Sequence, residues 1–353
     1  MRKFRRIGIL TSGGDAPGMN AGVRAATRLA LREGIQVMGI YGGYAGLVND
    51  DMRLIKNPHD VSNIIALGGT MLYTDRCLEF KTPEGMAKAL ETCKKNKIDG
   101  IIAIGGDGTF RGATDLSVHG IPTIGVPATI DNDITSTEYA IGFDTAMNTV
   151  VQMVDRLRDT CESHARCNVV EVMGRHAGFI AINTALAVGA VAVAAKEFPF
   201  DEAACIESIK QAKANGKREF IVIVAEGVED YAEGLRARIQ EQTGVESKFA
   251  RLAHVQRGGS PTLTDRVFAA QACEKAVEEL LLGHSDLVVC QHNSVIETMN
   301  IGYALKLDRM FKGKITKEET DSLTKEELAA MKARCDETLA RMKAKYDLVY
   351  KIR

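Results

Sequence analysis

Three short turns in this chain gather glycine, carboxylate and hydroxyl groups in spacings that suit phosphate chemistry. The first, Thr11-Ser12-Gly13-Gly14-Asp15-Ala16-Pro17-Gly18, follows the apolar run Ile7–Leu10 and precedes a helical pattern that starts at Met19. Glycines there let backbone N–H groups approach an anion, and a helix N-terminus adds partial positive charge. A plain tight strand-to-helix turn would use the same residues. The second turn, Gly105-Gly106-Asp107-Gly108-Thr109, follows the run Ile101–Ile104. A carboxylate between glycines at the carboxyl end of a strand suits a hydrated Mg²⁺ carried by a nucleotide. Alone, it specifies a phosphoryl donor and leaves the acceptor open. The third, Pro127-Ala128-Thr129-Ile130-Asp131-Asn132-Asp133, sets two carboxylates on one loop after Thr123–Val126. Phosphoryl transfer to a hydroxyl needs a base and screening of the phosphate charge, and this loop offers both. The structural alternative is an Asx-rich turn that satisfies its own backbone. A further glycine pair, Gly68-Gly69, precedes Arg76.

Short apolar runs alternating with amphipathic segments position these turns. Ile7–Leu10, Val37–Tyr41, Ile101–Ile104, Thr123–Val126, Val169–Val172, Phe220–Ala225 and Leu287–Cys290 read as buried strands. Met19–Arg32, Glu84–Lys95 and Thr145–Thr160 read as helices between them. The alternation predicts an α/β fold, two three-layer α/β/α domains with mainly parallel sheets. A length of 353 residues fits about two domains. After Phe311 the sequence turns helical and rich in Lys and Glu. Thr324-Lys325-Glu326-Glu327 has capping-box spacing, and Leu328, Met331, Cys335, Leu339, Met342, Tyr346 and Val349 follow at helical steps. This predicts a helix that docks on the body.

Composition excludes several classes. With 45 basic and 46 acidic side chains, the chain lacks the positive field of a nucleic-acid binder. No apolar run is long enough to span a membrane. The basic start MRKFRRIGIL gives way at once to TSGGD, so it reads as a first strand. The 8 cysteines form no C-x-x-C pair and read as reduced, mostly buried thiols of a cytoplasmic protein.

With these turns in place, the chain resembles the 6-phosphofructokinases of the bacterial type. The resemblance rests on TSGGDAPGMNAGVR, GGTMLYTDRC, GGDGT, PATIDND, IGFDTAMNT, VVEVMGRHAG, VAEG and HVQRGGSP, in that order from about residue 5 to 300. It implies transfer of the ATP γ-phosphoryl to the 1-hydroxyl of fructose 6-phosphate, with Mg²⁺. It implies that Asp131 is the base, held by Arg175, and that Thr129 and the backbone of Gly14 stabilise the transferring group. Arg76 would bridge the donor phosphates, and Asp107 and Asp133 would support the metal. Tyr44, Cys77, Lys81, Gly106, Gly108, Thr109 and Gly112 would line the nucleotide site. Met173, Gly174 and Glu226 would hold the sugar, and His254 and Arg257 its 6-phosphate. Arg166 and position 248 would reach that phosphate from a neighbouring subunit of a homotetramer. The implied domains are 1–140 with about 256–305, for the nucleotide, and 141–255 with about 306–353, for the sugar phosphate.

Five positions bear on this picture. Gly108 and Ala128 stand where pyrophosphate users of the family carry Asp and Lys, which favours ATP; ATP users commonly have Gly at the position of Ala128. Position 248 is Lys rather than Arg, which keeps the charge and loses the bidentate fork. The family's effector site for ADP or phosphoenolpyruvate is matched by Arg24, Arg28, Arg158, Gly189 and Lys217. Its metal-binding carboxylate falls on Val191, which cannot hold a hard cation, with Glu197 the acidic alternative six residues on. A further basic ligand falls near Asn57, within one residue. The alternatives to an ATP-dependent kinase are a pyrophosphate-dependent one and a non-catalytic sugar-phosphate-binding regulatory subunit.

Overall fold

Each apolar run read as a strand lies in or largely overlaps an observed one in the computed structural model, which describes residues 4–353. The first residues of the basic start lie outside that range. In chain order the elements are β1 (Arg6–Ser12), α1 (Met19–Arg32), β2 (Gln36–Ile40), α2 (Tyr44–Asn49), β3 (Met52–Ile55), α3 (Pro83–Lys95), β4 (Gly100–Gly105), α4 (Asp107–Val118) and β5 (Thr123–Pro127). Then come α5 (Phe143–His164), β6 (Cys167–Val172), α6 (Phe179–Ala187), β7 (Ala192–Ala194), α7 (Glu202–Ala214), β8 (Phe220–Ala225), α8 (Tyr231–Thr243) and β9 (Ser247–Arg251). The chain ends with α9 (Leu263–Leu281), β10 (Leu287–His292), β11 (Val295–Asn300), α10 (Ile301–Phe311), α11 (Lys317–Asp321) and α12 (Lys325–Lys351).

The chain forms two units. Unit one comprises residues up to Ile130, Ile134–Thr145 and Arg257–Cys335; unit two comprises Asp131–Asp133, Ala146–Gln256 and Asp336–Arg353. Unit one holds a seven-stranded sheet of order β11-β10-β5-β4-β1-β2-β3, and unit two a four-stranded sheet of order β7-β8-β6-β9. The four-stranded sheet is parallel throughout. The larger sheet is parallel inside and antiparallel at both edges, where β3 pairs with β2 and β11 with β10. β4 and β8 are buried along their whole length, as strands covered on both faces must be. The strands that apolar runs did not announce are the edges. β3 has a single buried residue, β11 mixes exposed and half-buried ones, β9 is the polar SKFAR, and β7 has only three residues.

Local chemistry sets the helix starts. Thr82 caps α3 by accepting from Gly85 N (3.0 Å), with Pro83 at the first position. The Thr324/Glu327 box closes in both directions, Glu327 N to Thr324 Oγ1 at 3.1 Å and Thr324 N to Glu327 Oε2 at 2.8 Å. Of the stripe on α12, Met331, Met342, Tyr346 and Val349 are buried, whereas Leu339 faces solvent. Within unit two, the last turns of α12 cover the edge of the small sheet. Tyr350 OH donates to Val193 O (2.9 Å) and Tyr346 OH to Pro199 O (3.0 Å). The segment 306–335, read above with the sugar-phosphate domain, packs in unit one. Ile301, Ala304 and Leu305 of α10 join the same buried cluster as Phe110 and Leu116 of α4. All eight cysteines are free thiols, six of them buried. Burial pushes Cys93, Cys205, Cys273 and Cys290 up to about 12, so they are unreactive as thiolates.

One buried carboxylate ties unit one together. Asp265 of α9 accepts from Tyr139 OH (2.6 Å), Gly142 N (2.7 Å), and both Thr145 N (2.9 Å) and Thr145 Oγ1. Thr145 Oγ1 accepts in turn from Thr262 N (3.0 Å). Truncating a buried, fully bonded carboxylate leaves several donors unpaired, so Asp265→Ala is expected to cost about 3 kcal/mol or more. Chemical denaturation checks this; a loss below about 1 kcal/mol would mean that the network does not hold the fold.

Candidate active site

The three turns lie side by side because three parallel strands end at one level. In the register, Ser12 pairs with Gly105, and Gly105 with Pro127. The carboxyl ends of β1, β4 and β5 therefore present the first, second and third turns together on unit one, the ligand side of an open α/β sheet. Short bonds lock them. Thr109 Oγ1 donates to Ser12 O (3.0 Å) and Ala128 N to Gly105 O (2.9 Å). Gly105 is required by this closeness, since a Cβ there would lie 2.3 Å from Ser12 O. Gly108 is different: a Cβ there would meet nothing within 4 Å. Its lack of a side chain is not imposed by packing. Ala128 is buried, with its methyl in the interior.

The residues expected at the donor divide into two groups. Arg76 and Lys81 are exposed, and Cys77 is half-buried. Asp107, the first residue of α4, is paired with Arg111 (2.8 Å) through one oxygen. Gly106 lies opposite Thr129, whose β-carbon is 4.0 Å from the Cβ position of residue 106. Tyr44 is buried behind α4, with its hydroxyl given to Thr109 O and its ring stacked on Phe80 at 4.3 Å. Gly112 makes room for that ring, which a Cβ would meet at 2.6 Å. Tyr44 and Gly112 thus back the second turn from beneath. Arg257 lies along the first turn, with Nη1 donating to Asp15 O (3.1 Å) and the guanidinium packed on Gly14.

Unit two carries the acidic and cationic partners. Asp131 is 1% exposed, and Arg175 Nε lies 3.4 Å from its Oδ2. Arg175 sits in the left-handed region, φ 53°, which is costly for a non-glycine residue and needs support from its surroundings. Glu226 supplies some, since its Oε1 accepts from Gly174 N (3.1 Å) and Arg175 N (2.6 Å). Met173 is buried, and its N–H donates to Gln256 Oε1 (3.3 Å). His254 is exposed, and Asp133 is half-buried on the third turn.

Arg166 and Lys248 converge on a carboxylate the sequence reading passed over. Glu246 accepts from Arg166 Nε (2.7 Å) and faces Lys248 Nζ (2.9 Å). The spacing of two held the signal: around a strand start, residues 246 and 248 share a face. Gln256 and Glu219 were also missed. Glu219 Oε1 takes Arg158 Nη1 (2.8 Å) and Lys217 Nζ (3.7 Å), and Arg158 also donates to Val188 O. Val191 is buried among apolar neighbours, and Gly189 has φ 59°. In unit one, Arg28 donates to Pro58 O (3.0 Å) and lines a cavity of about 530 Å³ with Arg32 and Lys56. Lys56, next to the Asn57 of the sequence reading, is the basic side chain there. Arg24 is half-buried on the same helix. Among the described residues, no helix is long and apolar enough to cross a membrane.

The chain is similar to known proteins over most of its length. A family model described as Phosphofructokinase matches residues 6–280. The chain is 48% identical over 308 residues to the ATP-dependent 6-phosphofructokinase 1 of Clostridium perfringens, covering 87% of this chain and 96% of that one. It is 47% identical over 311 residues to the ATP-dependent 6-phosphofructokinase of Halalkalibacterium halodurans, covering 86% and 97%. Among solved structures, it superimposes on phosphofructokinase from Saccharomyces cerevisiae with a TM-score of 0.82 at 29% identity, covering 93% of this chain and 48% of that longer one. The fold is shared with a pyrophosphate-dependent phosphofructokinase from Marinobacter aquaeolei, TM-score 0.74 at 21% identity, covering 84% and 83%.

Two cations around one carboxylate leave a measurable trace. Glu246 is held down to about 2, first by its bond from Arg166 and then by Lys248. A carboxyl NMR titration is expected to place its midpoint near that value, and the Arg166→Ala/Lys248→Ala double variant to raise it toward the ordinary range. An unchanged midpoint in the double variant would show that neither cation holds it.

Proposed function

The chain belongs to the phosphofructokinase family, and on that premise we propose that it transfers the γ-phosphoryl of MgATP to the 1-hydroxyl of fructose 6-phosphate, releasing ADP and fructose 1,6-bisphosphate. The observation that carries the reading is the buried Asp131 paired with Arg175, on the loop that continues directly from Thr129. Asp131 takes the proton of the 1-hydroxyl as its oxygen attacks the γ-phosphorus, and the bond to the ADP oxygen breaks. Arg175, beside that carboxylate, aims it. Thr129 and the N–H of Gly14 bond the equatorial oxygens of the transferring group, where charge spreads in the transition state. Arg76 bridges the donor phosphates, with Cys77, Lys81, Gly106, Gly108 and Thr109 around the nucleotide.

Asp107 fits a hydrated Mg²⁺. A single carboxylate on a turn with one oxygen left over from Arg111 is the donor set this ion accepts beside phosphate oxygens. Asp133 is the second carboxylate assigned to it. The ion, when bound, neutralises the phosphate charge. For the acceptor, Met173, Gly174 and Glu226 hold the sugar, and His254 and Arg257 its 6-phosphate. Arg166 and Lys248, already gathered on Glu246, serve the 6-phosphate of a neighbouring subunit in a homotetramer. We place the enzyme in the cytoplasm.

Gly108 and Ala128 support ATP over pyrophosphate, because the open volume at 108 is available to an α-phosphate. Steady-state assays with both donors test this; comparable kcat/KM for pyrophosphate and MgATP would overturn it. Asp131→Ser is expected to lower kcat by about 10²-fold or more, as removal of a general base does. A variant keeping over about a tenth of wild-type kcat would remove Asp131 from the mechanism.

The effector set is present in part and altered. Val191 supplies no metal ligand, and Glu219 already occupies Arg158 and Lys217. An effector acts only through its difference in affinity between two states. MgADP and phosphoenolpyruvate are therefore expected to shift half-saturation by fructose 6-phosphate by less than about twofold. A large saturable shift with either, in titrations at subsaturating sugar phosphate, would contradict this.

A further inference from the structure

The loop that bears Arg175 is fastened at both ends by half-buried carboxylates, and only one of them belongs to the sequence motif. At the near end Glu226 takes the N–H groups of Gly174 and Arg175. At the far end Glu197, which follows β7, takes the N–H of Gly178 through Oε1 (2.8 Å). We infer that Glu197 is a positioning residue for phosphoryl transfer: by holding the end of the 173–178 loop it fixes the backbone from which Arg175 reaches Asp131. The inference rests on the roles given above to Arg175 and Asp131.

Three observations carry it. The fit is close, since a Cβ on Gly178 would lie 2.7 Å from Glu197 Oε2 and 2.6 Å from the Ala195 methyl. Only glycine lets the carboxylate reach the loop. Next, a carboxylate is a costly filler there. Oε2 of Glu197 is buried without a hydrogen-bond partner, and burial pushes the carboxyl up against the pull of the Gly178 N–H. A well-packed apolar side chain would carry no such cost, so the acid is kept for the bond it makes. Finally, the loop stores strain at the functional residue. Arg175 is held at φ 53°, with its carbonyl oxygen 2.4 Å from where a Cβ on Gly227 would be. Such a conformation persists only while its surroundings over-determine it. Released at Gly178, the loop can relax, and Arg175 Nε leaves its place 3.4 Å from Asp131. Glu197 bonds the backbone at Gly178, three residues beyond Arg175, and acts through the chain between them.

The test is a double-mutant cycle on the full-length enzyme, read as kcat and KM for both substrates. Glu197→Leu removes the acceptor and is expected to lower kcat about tenfold or more, since small misplacement at a reacting centre is that costly. KM for MgATP should stay within about twofold. Glu197→Gln keeps an oxygen for Gly178 N and should retain most of the activity. Glu197→Asp, one methylene short, should lose it while keeping the charge and the fold. In an Arg175→Ala background, Glu197→Leu should lower kcat by less than about twofold further, because its effect passes through that arginine. The inference fails if Glu197→Leu and Glu197→Asp, both folded by circular dichroism, keep wild-type kcat. It fails equally if Glu197→Gln falls as far as Glu197→Leu, or if the loss persists undiminished without Arg175. Wild-type kcat in Arg175→Ala alone would instead overturn the role of Arg175, and with it the premise.

Discussion

Strand register is the constraint on which the donor half of the site depends. Because β1, β4 and β5 are parallel neighbours, backbone hydrogen bonds bring Ser12, Gly105 and Pro127 to one level. Everything beyond that level is turn. A slip of one residue would invert every side chain along the moved strand and carry its glycines off the edge. The apolar interior prevents the slip, since β4 is buried along its whole length. Core packing thus specifies the site at one remove: the hydrophobic residues choose the register, and the register places groups that have no hydrophobic character themselves.

The second unit uses a different device. Its key arginine stands on a loop, and loops lack ladder bonds that fix geometry. Here carboxylates take over that work. Glu226 and Glu197 hold the loop through backbone N–H groups, Glu246 gathers two long cationic side chains, and Glu219 gathers two more. Each carboxylate limits what the cations or amides near it can do. In the roles proposed above, this leaves Arg166 and Lys248 less freedom to lose when the 6-phosphate arrives, and leaves the charge that an effector would meet at Arg158 and Lys217 partly answered.

Much of this was legible in the sequence, for identifiable reasons. Buried parallel strands announce themselves as unbroken apolar runs, so β1, β4, β5 and β8 could be read directly. The helix from Lys325 could be placed to the residue because Thr324 and Glu327 form a local signal. Edge strands β3, β9 and β11 could not, since a half-exposed strand carries no such run, and β7, though buried, has only three residues. The motif residues of the turns were visible because their chemistry is concentrated within a few positions. The roles of Glu197, Glu219 and Gln256 were not: Glu197 was read only as an alternative metal ligand of the effector site, and Gln256 lay unremarked within HVQRGGSP. Each acts on a group distant in sequence or on a backbone atom, and nothing in a side chain's identity names the amide it will bond. Tyr44 shows the converse: a motif position whose ring the fold places under the turn, with its hydroxyl committed to Thr109.

The emptiness around Gly108 has a consequence for lineage as much as for mechanism. Gly14, Gly18 and Gly105 of the turns would each bring a Cβ to 2.7 Å or less from a neighbouring atom. Gly108 is imposed by nothing within 4 Å, so a side chain could be introduced there without disturbing the scaffold. Two of the four glycine codons lie one base from an aspartate codon. In the reading proposed above, one part of donor choice therefore sits where a single base change can reach it and the scaffold does not resist, while the other, Ala128, is buried and would have to make room for a lysine; a lineage can begin to change fuel at Gly108 but not finish there.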